Sequence, residues 1–165
     1  MGFKRLALLM VIASALMIAG CRGNINVQRG ADGSLNVTVT LSEADVNAAI
    51  TDALNTSANP LFRNPSVDLQ SGQIVINGEH DRRDGGGRIS GSVTVTPSVT
   101  NGVLSITVSS LNVEGLAATD AEVQAFNARI QEALARRVNR DHPNVALNAV
   151  TVSDTEMVIE LNLRR

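Results

Sequence analysis

Leu35, Val37, Val39 and Leu41 alternate strictly with Asn36, Thr38 and Thr40. A period of two places the apolar set on one face of a half-buried strand. The same period governs the stretch from Ser66 to Glu114. It runs through Val67 and Leu69, Ile74 and Ile76, then Ile89, Val93, Val95 and Val99, then Leu104, Ile106 and Val108. Ser71-Gly72 offers a tight turn, and Asn101-Gly102 is a strong two-residue hairpin signal. Four antiparallel strands in a meander are the economical reading. Past Val108 the phase slips by one at Ser109-Ser110, and Leu111 and Val113 carry on in the shifted register, which reads as a β-bulge. Gly91 shares the face of Ile89 and Val93, where a glycine lets a strand bend or a neighbour approach. Pro97, in phase with them, predicts an edge, a bulge or the strand end.

Two helices interrupt the β pattern. Ser42-Glu43-Ala44-Asp45 reads as a capping box with Ser42 as N-cap, and Leu41 with Val46 as a hydrophobic staple. Val46, Ala49, Ile50, Ala53 and Leu54 then share one helical face. The helix should end near Asn55 to Ser57, before Asn59-Pro60. Leu61 and Phe62 follow in a loop between Pro60 and Pro65. Thr119-Asp120-Ala121-Glu122 is a second capping-box pattern with acids in the first turn. Val123, Phe126, Ile130, Leu134 and Val138 mark the apolar face of a helix that His142-Pro143 stops. About 22 residues at 1.5 Å each make it roughly 33 Å long. Val145, Leu147, Val150 and Val152 form a further strand with a slip near Asn148-Ala149. Met157, Ile159, Leu161 and Leu163 form the last.

The N-terminal segment is of another kind. Lys4 and Arg5 precede an uncharged run from Leu6 to Met17, and Ile18-Ala19-Gly20 leads into Cys21, the single cysteine of the 165 residues. Cations, an apolar run and small residues before a break are the layout of a secretory signal peptide. The run is too short for a good transmembrane span. Residues 22–34 are polar and glycine-rich. They form a short tether, or else Ile25 and Val27 begin a strand that turns at Asp32-Gly33. The organisation expected is a leader over 1–20, Cys21 with a tether over 21–34, and one α+β domain over 35–165.

Composition narrows the function. Removal of residues 1–20 takes two of the 14 cations and none of the 16 acids, leaving 145 residues with net charge −4. That length suffices for one domain with a real core, and the acidic balance argues against nucleic acid as partner. One cysteine allows no disulfide within the chain. Three Phe, no Tyr and no Trp disfavour sugar clefts and base-stacking platforms.

The junction Ile18-Ala19-Gly20-Cys21 resembles the bacterial lipobox. The resemblance implies cleavage after Gly20, diacylation of the Cys21 thiol and a new amine open to acylation. Two or three acyl chains hold a protein to a bilayer stably where one does not. An ordinary cleaved leader with a leftover thiol is the alternative. Arg22 follows, rather than the Asp of an inner-membrane retention signal, which favours the outer membrane in a Gram-negative host. The element order over 35–165 is similar to small envelope proteins of the YceB-like and YpmS-like kind, related to the tubular lipid-binding (TULIP) superfamily. The residues carrying that similarity are Leu41-Ser42-Glu43-Ala44-Asp45-Val46-Asn47, the strands Gly72–Gly78 and Gly102–Val113, and Glu156-Met157-Val158-Ile159-Glu160-Leu161. It implies a curved antiparallel sheet of six to seven strands, with a central four-stranded meander. The sheet would wrap one long helix, beside a shorter N-terminal helix.

Few residues in the chain offer catalytic or metal-binding chemistry. His80 and His142 lie far apart in sequence, and Glu79-His80-Asp81 places successive side chains on opposite faces of a strand. A solvated hairpin arm is the reading there, not a metal site. Gly85-Gly86-Gly87 lacks the strand-to-helix context of a phosphate loop. No G-x-S-x-G elbow occurs, so no catalytic residue, metal or cofactor is assigned and no enzyme is expected. Arg82, Arg83, Arg88, Arg164 and Arg165 are scattered surface cations, or else face anionic headgroups. The sharper question is whether Val123, Phe126, Ile130, Leu134 and Val138 simply pack as core. Otherwise, with Leu54, Val93, Val95, Ile106 and Val108, they line an acyl-chain groove. The first reading expected is a lipid-anchored envelope protein that binds phospholipid or a fatty acyl chain. The alternative is a module of the same fold with a filled core and an envelope-protein partner.

Overall fold

The computed structural model describes residues 24–30, 34–138 and 145–163. Among them are two helices and eight strands in two four-stranded antiparallel sheets. Strands β3 (Arg63–Gln70), β4 (Gln73–Asp81), β5 (Arg88–Thr100) and β6 (Val103–Asn112) are neighbours in chain order. This meander sheet is the expected one. The other strands form a second, terminal sheet in the order β1 (Asn24–Arg29), β2 (Leu35–Ser42), β8 (Glu156–Leu163), β7 (Val145–Val152). The single curved sheet of six to seven strands is thus replaced by two sheets and eight strands. The physical reason is that β2 pairs with β8 from the far end of the chain, setting Val37 against Leu161, Val39 against Ile159 and Leu41 against Met157. Of the two readings of 22–34, the strand is observed at Asn24–Arg29, with Ile25 opposite Val39 and Val27 opposite Val37.

Helix α1 (Glu43–Asn55) starts as its sequence dictates. The Ser42 hydroxyl accepts from the Asp45 N–H, and the Asp45 carboxylate accepts from the Ser42 N–H. Val46, Ala49, Ile50, Ala53 and Leu54 are all buried. Helix α2 (Ala121–Val138) begins one residue later than expected. Asp120, not Thr119, stands at its cap: the Asp120 carbonyl accepts from the Gln124 N–H, and its carboxylate turns back to the Ala117 N–H. The 18 described residues of α2 rise about 27 Å. Its end at His142-Pro143 lies outside the described residues.

The meander shows how local sequence sets register. Asn101 and Gly102 have φ of 54° and 76°, the two positive values that a tight I′ turn requires. Thr94 faces Ser110 and Val95 faces Val108, so Ser109 is the extra residue of the predicted bulge. Pro97 is buried in mid-strand. It lies past Val95, where pairing with β4 stops, so its missing N–H removes no bond on that side. β3 starts at Arg63, earlier than the alternation suggested, with a register shift between Arg63 and Ser66 and a φ of 48° at Asn64.

The loop residues Leu61 and Phe62 are core. Phe62 packs edge-on to Phe126, with centroids 5.9 Å apart. It lies over the facing pair Gly78 and Gly91, where a Cβ on Gly78 would come within 2.6 Å of the Phe62 Cβ. Leu61 and Phe62 therefore form a loop plug within a core to which both sheets and both helices contribute.

Candidate functional site

The predicted lining residues lie together in one apolar cluster. Leu54, Val93, Val95, Ile106, Val123, Phe126, Ile130 and Leu134 are between 0% and 3% exposed. Val108 is half-buried against them, and the side chain of Val138 lies outside those described. A side chain with no exposure touches no void that would hold a water molecule. Val93, Val95, Val123 and Ile130 are therefore sealed against their neighbours in this conformation.

The seam between α2 and β6 is held by two polar side chains. Gln131 accepts from the Ile106 N–H at 3.2 Å, and Asn127 donates to the Ile106 carbonyl at 3.0 Å. The Asn127 Oδ1 is buried with no hydrogen-bond partner. A buried acceptor left unmade costs about 1–3 kcal/mol, so this seam is weaker than a continuous strand ladder. Helix α1 holds the opposite edge in the same manner. The Glu43 carboxylate accepts from the Leu69 N–H, and the Asn47 carbonyl from the Val67 N–H. Sequence reasoning missed all four side chains, because a polar residue beside an apolar helical face reads as solvated.

A pocket of about 230 Å³ with charged residues on its walls opens beside Leu61, lined by His80, Arg82, Arg83, Asp84, Ile89, Glu114, Gly115 and Leu116. The β4–β5 turn forms one wall and the loop from β6 to α2 the other. His80 corrects the solvated-arm reading: it is 5% exposed, and its Nδ1 lies 2.9 Å from the Leu61 carbonyl oxygen. A signal for this existed, since His80 continues the phase of Ile74 and Ile76 with Gly78 between. The hydrophilic neighbours Glu79 and Asp81 concealed it.

Ion pairs tie the β4–β5 turn across to the α2 side. Arg82 meets Glu114 at 2.7 Å, and Arg83 meets Asp120 at 2.9 Å as well as Glu122. Glu122 foremost, and then Asp120, raise the Arg83 pKa. The Ala117 N–H foremost, and then Arg83, hold the Asp120 carboxyl below its ordinary range. On the neighbouring face, Asp81 is held low chiefly by its hydrogen bond from Arg63, with Arg88 adding to it.

Among the described residues no three His, Cys, Asp or Glu side chains are grouped to hold a metal ion. No described helix is long and apolar enough to cross a membrane. Gly20, Cys21, His142, Arg164 and Arg165 lie outside the described residues. The chemistry the arrangement offers is apolar burial beside a small charged pocket.

No curated protein and no solved structure matches the chain significantly. The model of the LmeA-like phospholipid-binding family matches residues 20–162. That span takes in both sheets, both helices, the aliphatic interior and the charged pocket, and the chain belongs to the LmeA-like phospholipid-binding family.

Proposed function

We propose that this protein binds phospholipid and takes acyl chain between the meander sheet and α2, without catalysing a reaction. Membership of a phospholipid-binding family carries the reading. The interior supports it: the face of α2 and the facing strands supply Val, Ile, Leu and Phe, which bind a hydrocarbon by apolar area at roughly 25 cal/mol per Å². The conformation seen is the closed one. The α2–β6 seam is where it opens, because two amide side chains and an unsatisfied Asn127 oxygen separate more cheaply than paired strands.

In this proposal the chain sits in the cell envelope on the extracytoplasmic side of a bacterial membrane, held by an acylated Cys21. The sequence Ile18-Ala19-Gly20-Cys21, with its resemblance to a lipobox, supports this reading. Cys21→Ser is expected to release the protein into the soluble fraction; a variant that still sediments with membranes contradicts the anchor.

A second reading has an observation of its own. Zero exposure at Val93, Val95, Val123 and Ile130 is what a filled core that serves an envelope-protein partner would show. Native mass spectrometry of the full chain, with lipid extraction, separates the two. Co-purifying phospholipid near one per chain supports lipid binding. An apo mass that stays unshifted after incubation with phospholipid supports the filled core.

A further inference from the structure

We propose that the pocket around His80 is a headgroup subsite, taking a phosphodiester that carries an amine or a hydroxyl. The inference rests on the phospholipid-binding reading and adds to it which residues meet the polar end of the lipid.

His80 is the built element. A carbonyl oxygen only accepts, so the 2.9 Å contact with Leu61 fixes the proton on Nδ1. In the neutral ring Nε2 is then an acceptor. No described residue hydrogen-bonds Nε2, and it is not among the sealed unpartnered atoms, so it opens to the pocket that His80 lines. His80, buried to 5% residue exposure, with Nδ1 bonded to Leu61 and Nε2 open at a cavity wall, is suited as the neutral ring to a ligand N–H or O–H.

The surrounding charges choose the rest of the ligand. Arg82 and Arg83 line the pocket together with Asp84 and Glu114. The Arg82–Glu114 pair is exposed, with side chains at 34% and 70%, and ion pairs so exposed are weak in water. A phosphate oxygen can therefore replace Glu114 on the Arg82 guanidinium, whose planar fork matches phosphate. Glu114 and Asp84 then face the amine or hydroxyl. Arg83 is already held by Asp120 and Glu122, so the acids around the pocket outnumber its cations and favour such a group over bare phosphate, whose extra negative charge would meet Asp84 and Glu114. The size agrees. About 230 Å³ is below the roughly 300–1,000 Å³ of sites that enclose a whole drug-sized ligand. It admits a headgroup and leaves the chains outside. They would pass Leu116 and Ile89 towards Phe62, which adjoins the interior through Phe126.

The test is a ¹H–¹⁵N spectrum of the histidine rings in the full chain, held in maltoside, which carries no phosphate. The probes are glycerophosphoethanolamine and inorganic phosphate. A saturable shift of His80 with the phosphodiester is expected, with a response to phosphate at least about tenfold weaker. Arg82→Ala and Glu114→Gln, both on the rim, should each weaken the phosphodiester response about tenfold, as loss of a charged hydrogen bond does. Silence of His80 to both probes overturns the proposal, as does an unchanged response in Arg82→Ala. An equal response to phosphate assigns the pocket to the free anion and overturns the headgroup. Native mass spectra with intact phospholipid run in parallel. Bound lipid with a silent His80 removes the subsite alone, whereas a responding His80 with no lipid uptake removes the lipid-carrying reading alone.

Discussion

The two sheets treat their edges differently. In the meander sheet both edges are occupied by helix side chains: Glu43 and Asn47 of α1 take the Leu69 and Val67 N–H groups, while Asn127 and Gln131 of α2 take both backbone groups of Ile106. In the terminal sheet the β7 edge meets the turns of the meander, with Gly72 N–H bonded to the Val152 carbonyl and the Leu147 N–H to the Gly102 carbonyl. The β1 edge is exposed along its whole length, and its Ile25 and Val27, at 40% and 47% exposure, continue the apolar rows of Val39 and Val37 into solvent. An alternating strand is thus buried by what lies beside it, not by its own pattern. A bare edge invites pairing, whereas an edge bonded to side chains can open and close without losing a strand ladder.

The two sheets differ most in how tightly their side chains are packed. Phe126→Ala should lower stability by about 3–5 kcal/mol, as large core truncations do, while Val27→Ala should change it by less than about 0.5 kcal/mol. Urea midpoints of the two variants decide this, and equal losses would mean that β1 is packed as tightly as α2. Gly91→Val follows in size at about 1–3 kcal/mol for overpacking, because its Cβ would lie 2.7 Å from Val113. Asn47→Ala should cost about 1 kcal/mol, a typical net hydrogen bond, and speed amide exchange at Val67 but not at Val37. Uniform exchange across both residues would contradict the capping role of α1.

The smallest effect is electrostatic. Asp120 is held low in the fold, first by the Ala117 N–H and then by Arg83. A depressed carboxyl contributes stability above its unfolded value and loses it as pH falls through its folded value. The difference between wild type and Asp120→Asn should therefore be constant down to about pH 4 and shrink below that. A difference that grows as the pH falls would reverse the assignment.

Much of this fold was legible locally. The Ser42 capping box, the Asn101-Gly102 turn and the Ser109 bulge each rest on a few adjacent residues, and all three are where their chemistry places them. The division into two sheets was not legible, because pairing β2 with β8 joins residues more than a hundred positions apart, and periodicity says nothing about partners. Neither was the plug, since Leu61 and Phe62 follow no period. Of the candidate site, the buried apolar cluster could be read from helical and strand spacing. His80 could be read only by preferring its phase over its neighbours, and the edge-binding amides could not be read at all.

The most direct test of the account uses a phospholipid with a photoactivatable diazirine near the acyl-chain terminus, cross-linked to the full chain and mapped by peptide mass spectrometry. Attachment at Val95, Ile106, Phe126, Ile130 or Leu134 is the result predicted for a chain admitted between the meander sheet and α2. Attachment confined to Ile25 and Val27, with the interior unlabelled, would contradict it and show that the lipid meets the bare β1 edge.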